Sequence, residues 1–356
     1  MAPLVNLLKA RPAEFKVIVC VTAQHREMLD QVMNFFGVVP DYDLNIMKGG
    51  QTLTEVTTRS LTGLESVLRE AKPDIVLAQG DTTTVLAAGL AAAYHKVAFG
   101  HVEAGLRTDN KFDPFPEELN RRLTTQLTDL HFAPTDLSRA NLLRDGVKPE
   151  AIYLTGNTVI DALRQVAHER KPSGDGLRQI LVTTHRRENW GEPLEEIAGA
   201  LHDILEKFPD TRLVLPMHKN PIVREPLQRI LGAHPRVQLI EPPDYLDFVR
   251  LMERSHLILT DSGGVQEEAP ALGLPVLVLR RTTERPEGVT AGTASLIGTK
   301  REDIVAAASE LLSSVLAYET MSRAANPYGD GRAGDRIAAA LLHWAGHGPR
   351  PADFMP

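Results

Sequence analysis

The chain has 356 residues, enough for two domains of ordinary size, each with its own hydrophobic core. Its formal net charge of −7 argues against nucleic acid or an anionic membrane as the main partner, because both bind a basic protein face. The single cysteine, Cys20, excludes an intrachain disulfide, and no apolar run approaches the roughly 18 residues of a membrane span. We therefore expect a soluble protein of the reducing cytoplasm.

The chain opens with a helical pattern that no strand precedes. Residues 4–10, LVNLLKA, have the pattern of the body of a helix. A doubly wound sheet normally begins with a strand whose following turn contacts the ligand. Two interpretations fit these residues: an unusual N-terminal helix, or a first strand that is missing.

Short runs rich in Val, Ile and Leu alternate with amphipathic stretches along the rest of the chain. The runs lie near residues 17, 74, 97 and 152, and again near 180, 212, 237, 257 and 275. This alternation predicts parallel strands joined by helices, in two α/β halves. Segment 171–176 contains Pro and Gly and cannot continue a helix, so we place a linker there, between domains 1–170 and 177–325. Segment 326–346 holds a last predicted helix, about 332–345, that is expected to cross back onto the first domain.

Two acids follow strand runs of the first half. Asp81 comes after the run near 74 and Glu103 after the run near 97. Both therefore belong to carboxyl ends of predicted strands, the edge at which open parallel sheets bind ligands. Structural alternatives exist for each: Asp81 suits the N-cap of a helix beginning at Thr82, and Glu103 suits an ion pair with an arginine such as Arg107.

A further pair of acids, Glu117 and Glu118, opens a predicted helix after Pro116. The helix dipole favours acids in a first turn, so we expect a structural role for at least one of them. The same position also suits a carboxylate that points into a binding cleft.

In the second half, His185 follows the run near 180 together with Arg186 and Arg187. A histidine beside arginines suits a diphosphate oxygen or proton transfer near neutral pH, and the alternative is a solvated basic loop. His218 follows the next run and is interpreted as structural or peripheral. No cluster of His, Cys and carboxylate has zinc-like spacing, so no metal is predicted.

The stretch 261–264, Asp-Ser-Gly-Gly, lies between a strand run and a helical pattern. Glycines allow close approach of a ligand to the backbone, and the amides at a helix start favour an anion, so this stretch predicts a phosphate site. Glu268, one turn later, suits ribose hydroxyls. The alternative is a tight strand-to-helix turn. Since the acids belong mainly to the first half and the phosphate binders to the second, we expect a cleft between the halves.

Eight segments in order resemble the non-hydrolysing UDP-N-acetylglucosamine 2-epimerase family of bacteria, and together they span nearly the whole chain. The resemblance implies two Rossmann-like domains in the glycosyltransferase-B arrangement with an interdomain cleft, usually in a homodimer, and no cofactor. The segments are QGDTTT, GHVEAGLRT, PFPEELNRR, GNTVIDAL, THRREN, LTDSGGVQEEAP, RTTERPEG and NPYGDGRA.

The activity that the resemblance implies is reversible C2 epimerisation of UDP-GlcNAc to UDP-ManNAc, which supplies surface polysaccharide synthesis. In this family UDP is eliminated to give 2-acetamidoglucal and then added back. The implied catalytic residues are Asp81, Glu103, Glu117 and His185. The implied substrate contacts are Ser262, Gly263 and Gly264 with the diphosphate, Glu268 with the ribose, Phe248 near the uracil, and Arg285 elsewhere in the cleft.

The sequence departs from the family pattern in two places. Family members have a strand and a Gly-Thr-Arg-Pro-Glu-Ala-x-Lys loop before the Met-Ala-Pro that here begins at Met1. We therefore expect the start to be truncated or misassigned, and protein beginning at Met1 to be unstable or poorly active. Some members also bind a second UDP-GlcNAc as an activator, but Glu27 and Gly50 replace a Gln and an Arg of that site. The remaining candidates for the regulatory site are Gln24, His25, Arg26, Arg186 and His218.

Three other functions fit the same architecture. A glycosyltransferase would use the same nucleotide site and transfer the sugar to an acceptor. A hydrolytic 2-epimerase would release free ManNAc and UDP, and a UDP-sugar sensor would bind without reaction. The presence of three acids and His185 argues against the sensor, because binding alone does not require them.

Overall fold

The computed structural model describes residues 1–23, 26–108, 110–112, 114–170 and 176–356, with the backbone alone at 27 and 28. Within it the chain forms two compact units, one of residues 1–162 with 329–355 and the other of residues 163–328. The division falls inside a helix before the predicted linker, of which residues 171–175 lie outside the described part of the chain.

The first unit contains parallel strands that alternate with helices. Its main sheet has the order β3-β4-β5-β6, and β1 and β2 form a separate two-stranded sheet. The elements up to the division are α1 (Ala2–Lys9), β1 (Cys20–Val21), α2 (Arg26–Phe36), β2 (Tyr42–Asp43), α3 (Leu53–Ala71), β3 (Ile75–Gln79), α4 (Thr83–Tyr94), β4 (Ala98–Val102), α5 (Glu117–Leu127), β5 (Leu130–Ala133), α6 (Asp136–Arg144), β6 (Ile152–Leu154) and α7 (Thr158–Val166).

The second unit is built on a sheet of six parallel strands in the order β12-β11-β10-β7-β8-β9. The elements, in chain order, are β7 (Arg178–Thr183), α8 (Glu192–Lys207), β8 (Thr211–Pro216), α9 (Pro221–Leu231), β9 (Val237–Ile240), α10 (Tyr245–Arg254), β10 (Ser255–Thr260), α11 (Gly263–Ala271), β11 (Val276–Val278), α12 (Pro286–Thr290), β12 (Ala294–Leu296), α13 (Arg301–Ser313) and α14 (Val315–Ser322). The last helix of the chain, α15 (Ala333–Trp344), belongs to the first unit.

Each sheet is covered by apolar helix faces. In the first unit, α1 and α15 contribute to one core with β4 and β5, and α3 and α4 form another with Phe99 of β4. In the second unit, the core joins β7, β8, β10 and β11 with α8, α9 and α13. Strands that are buried on both faces require such continuous apolar runs, which is why those runs were readable from the sequence.

The predicted α/β class with parallel strands is confirmed, and the predicted helix at the start is α1. The run near 17 was expected to be a full strand, but only Cys20 and Val21 pair, with Tyr42 and Asp43. The sequence prediction also missed β5, because His131 interrupts its short apolar run. His131 is nevertheless 1% exposed, and burial lowers its pKa to about 3, so it packs as a neutral side chain.

Among the described residues, no single helix is long and apolar enough to cross a membrane. The pair α13 and α14 reaches the required length and composition together, but it is bent by 95°.

Candidate active site

The switch point of the second sheet lies between β7 and β10, because the strands on either side run outward in opposite chain order. At their carboxyl ends Thr183 is in register with Thr260, and the two hydroxyl oxygens are 2.6 Å apart. The turns that follow β7 and β10 are therefore neighbours. Open parallel sheets bind their ligands at such a point.

Asp261 joins these two turns. Its carboxylate is fully buried and accepts the backbone amides of His185 and Arg186, each at 2.9 Å. The Thr184 hydroxyl (3.1 Å) and the Asn189 amide (3.0 Å) also donate to it. A buried carboxylate with this many donors is rigidly held, so it fixes the whole turn after β7.

The imidazole of His185 is oriented by the same carboxylate. Its Nδ1 lies 3.2 Å from an Asp261 oxygen, and the side chain is 43% exposed. Burial lowers the pKa of His185 below its ordinary value, the Asp261 carboxylate opposes this shift, and the Arg186 cation adds to it. The arrangement favours a neutral ring that donates Nδ1–H to Asp261 and keeps Nε2 available to exchange a proton. The turn is exposed and basic, as the alternative from the sequence had it, but Asp261 anchors the histidine within it.

Ser262 is the N-cap of α11, and Gly263 and Gly264 are its first two residues. The first amides of a helix have no acceptor within it and attract an anion. A Cβ on Gly263 would lie 2.4 Å from Nη1 of Arg285, so a side chain there would have to displace this guanidinium. Among the described residues, a Cβ on Gly264 would meet only Glu268, at 3.9 Å, which leaves space above Gly264 for a ligand.

The two glycines give a matched test. We expect Gly263→Ala to lower the free energy of unfolding by about 1–3 kcal/mol through overpacking. Gly264→Ala is expected to leave thermal unfolding nearly unchanged and to weaken the binding of UDP, the ligand that the sequence predicts for this turn, because its methyl group would occupy the ligand's space. Calorimetry with UDP and thermal melts of both variants measure this. Unaltered UDP affinity in Gly264→Ala would refute a phosphate site above this glycine.

Glu268 is buried on α11 and accepts a hydrogen bond of 2.7 Å from the Tyr245 hydroxyl. Burial raises the pKa of Glu268 to about 7, against the hydrogen bond from Tyr245, and the neighbouring Glu267 raises it further. The other carboxyl oxygen, Oε2, is the atom nearest to a Cβ built on Gly264. Tyr245 thus occupies one oxygen of Glu268 and leaves the second toward the open space at the start of α11.

Arg285 belongs to a buried ion network beside this turn. It pairs with Glu267 and, at 2.8 Å, with Glu284, which also pairs at 2.8 Å with Arg280. Burial alone would raise the pKa of Glu284, but Arg285 and Arg280 hold it at about 2. The network fixes Arg285 in contact with Gly263.

In the first unit, β3 and β4 are paired in register from Ile75 with Ala98 to Gln79 with Val102. Asp81 and Glu103 follow these strand ends, as the sequence predicted. The predicted N-cap alternative for Asp81 is wrong, because Thr82 is the N-cap of α4. Asp81 is instead 30% exposed and pairs with Arg121 at 2.6 Å.

Glu103 has φ of 66°, in the left-handed region that non-glycine residues rarely adopt. Backbone strain of this kind costs roughly 1–3 kcal/mol and is common at functional sites. The Gln79 amide donates to its carboxylate at 3.2 Å. Arg107, the arginine suggested from the sequence as a structural partner, forms its ion pair with Asp145 at 2.8 Å.

Glu117 and Glu118 begin α5 and have different surroundings. Glu118 is fully buried and pairs with Arg121 and Arg122, which confirms that one of these acids is structural. Glu117 is partly exposed at the first helical position.

The remaining predicted site residues belong to several different elements. Phe248 is partly buried on α10, one helical turn from Tyr245, and His218 is exposed in the turn after β8. Arg26 pairs with Asp43 at 2.7 Å. The Arg186 guanidinium lies 3.7 Å from Glu284. Gln24, His25 and the Glu27 side chain lie outside the described residues.

Sequence reasoning missed three residues that organise these groups: Asp261 as the partner of His185, Tyr245 as the partner of Glu268, and Arg121 as the partner of Asp81. Of these three, only Asp261 could have been selected from the sequence, since it directly follows the apolar run of β10. In the described part of the chain, no group of three or more His, Cys, Asp or Glu side chains is arranged to hold a metal ion.

Comparison with known proteins agrees with this architecture. A family model described as UDP-N-acetylglucosamine 2-epimerase matches residues 7–342. The UDP-N-acetylglucosamine 2-epimerase of Escherichia coli O157:H7 is 56% identical, over 96% of this chain and 94% of that protein. Among solved structures, the S. aureus MnaA–UDP complex has a TM-score of 0.93 at 48% identity, over 100% of this chain and 96% of that one. The UDP-GlcNAc 2-epimerase of Neisseria meningitidis bound to UDP-GlcNAc has a TM-score of 0.89 at 48% identity, over 96% of each chain.

The fold and these similarities define an α/β isomerase of the nucleotide-sugar class. The predicted resemblance is confirmed at the level of the family. The chain belongs to the UDP-N-acetylglucosamine 2-epimerase family.

Proposed function

We propose that the enzyme interconverts UDP-GlcNAc and UDP-ManNAc without net hydrolysis, by eliminating UDP and adding it back. The proposal rests on two neighbouring turns of the second unit. Asp261, in the turn after β10, holds His185 in the turn after β7, and the turn after β10 leads directly to the first amides of α11. Those groups suit the stabilisation of a departing diphosphate.

The route follows from the acidity of the sugar. The hydrogen on C2 is weakly acidic, so direct removal as a carbanion is slow. In the proposed elimination, a base takes the C2 proton, the C1–C2 double bond forms, and the C1–O bond breaks with its electron pair leaving on UDP. Re-addition of UDP to C1, with a proton delivered to the opposite face of C2, gives the epimer and restores every atom.

We assign the proton transfers at C2 to the acids of the first unit. Proton exchange on two faces needs at least two groups, and the candidates are Asp81, Glu103 and Glu117. The exposed fraction of Asp81 and the strained backbone of Glu103 support this assignment. His185 would exchange a proton with the leaving diphosphate through Nε2, and Ser262, Gly263 and Gly264 would bind that diphosphate.

Isotope scrambling tests the elimination step. UDP-GlcNAc carrying ¹⁸O in the bond between the sugar and the β-phosphate is incubated with enzyme and recovered. If the C1–O bond breaks while UDP stays bound, the label spreads into non-bridging phosphate positions, which ³¹P NMR resolves. Epimerisation with the label confined to the bridge would contradict elimination.

We assign Glu268 to the ribose, Phe248 to the neighbourhood of the uracil, and Arg285 to the substrate cleft. Because Glu268 has a pKa of about 7, its carboxylate form, which accepts from hydroxyls, grows as pH rises through 7. UDP affinity is therefore expected to increase from pH 6 to pH 8. Tyr245→Phe removes a donor that lowers this pKa, so the midpoint should move to higher pH.

A 2′,3′-dideoxy analogue of UDP is the control for this pH dependence. The phosphate groups of both ligands titrate alike, so only the difference between their affinities reports on Glu268. We expect that difference to vary with pH in the unmodified enzyme and to be independent of pH in Glu268→Gln, because glutamine does not titrate. A constant difference across this pH range would exclude a ribose contact by the Glu268 carboxylate.

The cellular setting is also proposed. We infer a cytoplasmic homodimer whose product supplies surface polysaccharide synthesis. Light scattering tests the assembly: a mass twice that of one chain is expected, and a monomer at assay concentrations would contradict it.

A further inference from the structure

The side chain of Arg121 lies between two carboxylates of the first unit. Its Nη1 is 2.6 Å from Asp81 Oδ2, and its Nε is 3.0 Å from Glu118 Oε2. Arg121 is 3% exposed and Glu118 is fully buried. Glu118 also accepts the Arg122 Nε at 2.7 Å and the Thr108 amide at 3.1 Å.

The backbone of Asp81 is held by the same helix. The side-chain amide of Asn120, which precedes Arg121 on α5, donates a hydrogen bond of 2.8 Å to the backbone carbonyl of Asp81. Both the main chain and one carboxyl oxygen of Asp81 are thus fixed relative to α5. The side chain keeps 30% of its surface exposed, so the rest of the carboxyl group remains accessible.

This arrangement is a poor way to stabilise a fold. Buried ion pairs gain little net free energy, because desolvation of both partners offsets their attraction. In addition, Nη2 of Arg121 is buried with no hydrogen-bond partner among the described residues. An unmet buried donor costs about 1–3 kcal/mol. What the pair does supply is a fixed geometry between Asp81 and the first turn of α5.

We propose that Arg121, braced by buried Glu118, is a positioning residue that sets the direction of the Asp81 carboxylate relative to Glu117. The proposal rests on the proposed roles of these two acids. Glu117 precedes Glu118 in the first turn of α5, so the network ties both to one rigid helix start. Arg121 acts through Asp81, since its own nitrogen atoms are buried.

A second ion pair in the same unit provides matched controls. Arg107 is also 3% exposed and pairs with Asp145, which is 29% exposed. Arg121→Lys keeps the charge but cannot bridge two carboxylates in the fork geometry of a guanidinium. Arg107→Lys makes the same chemical change in an equally buried pair that does not include Asp81.

For Arg121→Lys we expect kcat for UDP-ManNAc formation to fall roughly 10- to 100-fold, as small misplacements of reacting groups do. KM and the Kd for UDP should stay within about twofold, because the proposed UDP contacts belong to the second unit. Arg107→Lys should lose comparable thermal stability with little change in kcat. Equal kcat losses in the two variants would overturn the proposal.

The decisive measurement is a double-mutant cycle with Asp81→Asn. If Arg121 acts through Asp81, Arg121→Lys should lower kcat by less than about twofold in the Asp81→Asn background. Fully additive losses would overturn the inference. Full activity of Asp81→Asn alone would instead defeat the proposed role of Asp81, which is a separate failure. If Arg121→Lys does not fold, Glu118→Gln takes its place. It must then lower kcat by a similar factor in the unmodified enzyme and by less than about twofold in the Asp81→Asn background. Unchanged kcat in Glu118→Gln would also overturn the proposal.

Discussion

Replacement of Asp81 by asparagine is expected to lower kcat by about 10²- to 10⁴-fold, the usual contribution of a general acid or base. Asparagine has nearly the same volume, and its carbonyl oxygen can still accept from Arg121, whose Nη1 lies 2.6 Å from Asp81. The hydrogen bond from the Asn120 side chain to the backbone carbonyl of residue 81 does not involve the substituted side chain, so it should persist. The substitution therefore removes proton transfer and leaves the surroundings largely intact.

The measurements are kcat from UDP-ManNAc formation and the Kd for UDP by calorimetry. Asp145→Asn is the matched control, because the Asp145 side chain is 29% exposed, against 30% for Asp81, and has an equally buried arginine partner. We expect normal kcat in the control and normal UDP affinity in both variants. Asp81→Asn with kcat near that of the unmodified enzyme would remove Asp81 from the catalytic groups.

Asp261→Asn is expected to affect both stability and turnover. The Asp261 carboxylate accepts two backbone amides and two side-chain donors in a fully buried position. An asparagine NH₂ would face some of these donors, so we expect the free energy of unfolding to fall by about 3 kcal/mol. It would also donate to His185 Nδ1 and favour the tautomer with the proton on Nε2, so kcat should fall at least roughly 100-fold.

The His185→Asn background separates the two effects. If Asp261 acts on turnover through His185, Asp261→Asn should add little further loss of kcat to that variant, although the loss of stability should persist. Thermal melts and turnover of the single and double variants measure both. Independent, multiplicative losses of kcat would contradict an Asp261–His185 unit.

The sequence predicts much of the fold because buried parallel strands need continuous apolar runs. The runs near 74, 180 and 257 correspond to β3, β7 and β10. The same rule fails where a buried strand contains a polar residue and where an apolar run forms only a short strand. His131 lies inside the buried strand β5 as a neutral histidine, and the apolar run near 17 pairs over only two residues.

Strand ends also predict candidate site residues, since one sheet edge collects them. Asp81, Glu103 and His185 were found in this way, and Gly263 through its position at a helix start. Hydrogen bonds and ion pairs between residues far apart in the chain cannot be predicted from the sequence in this way. Asp261 and His185 meet only because β10 lies beside β7, and Arg121 reads in sequence as one more polar residue of an amphipathic helix.

Solvent exchange at C2 tests the central claim most directly. UDP-GlcNAc is incubated with the enzyme in deuterium oxide, and the sugar is followed by proton NMR. The proposed reaction predicts UDP-ManNAc with deuterium at C2, together with deuterium appearing in the remaining UDP-GlcNAc. Release of free ManNAc and UDP, or recovery of UDP-GlcNAc unchanged, would contradict it.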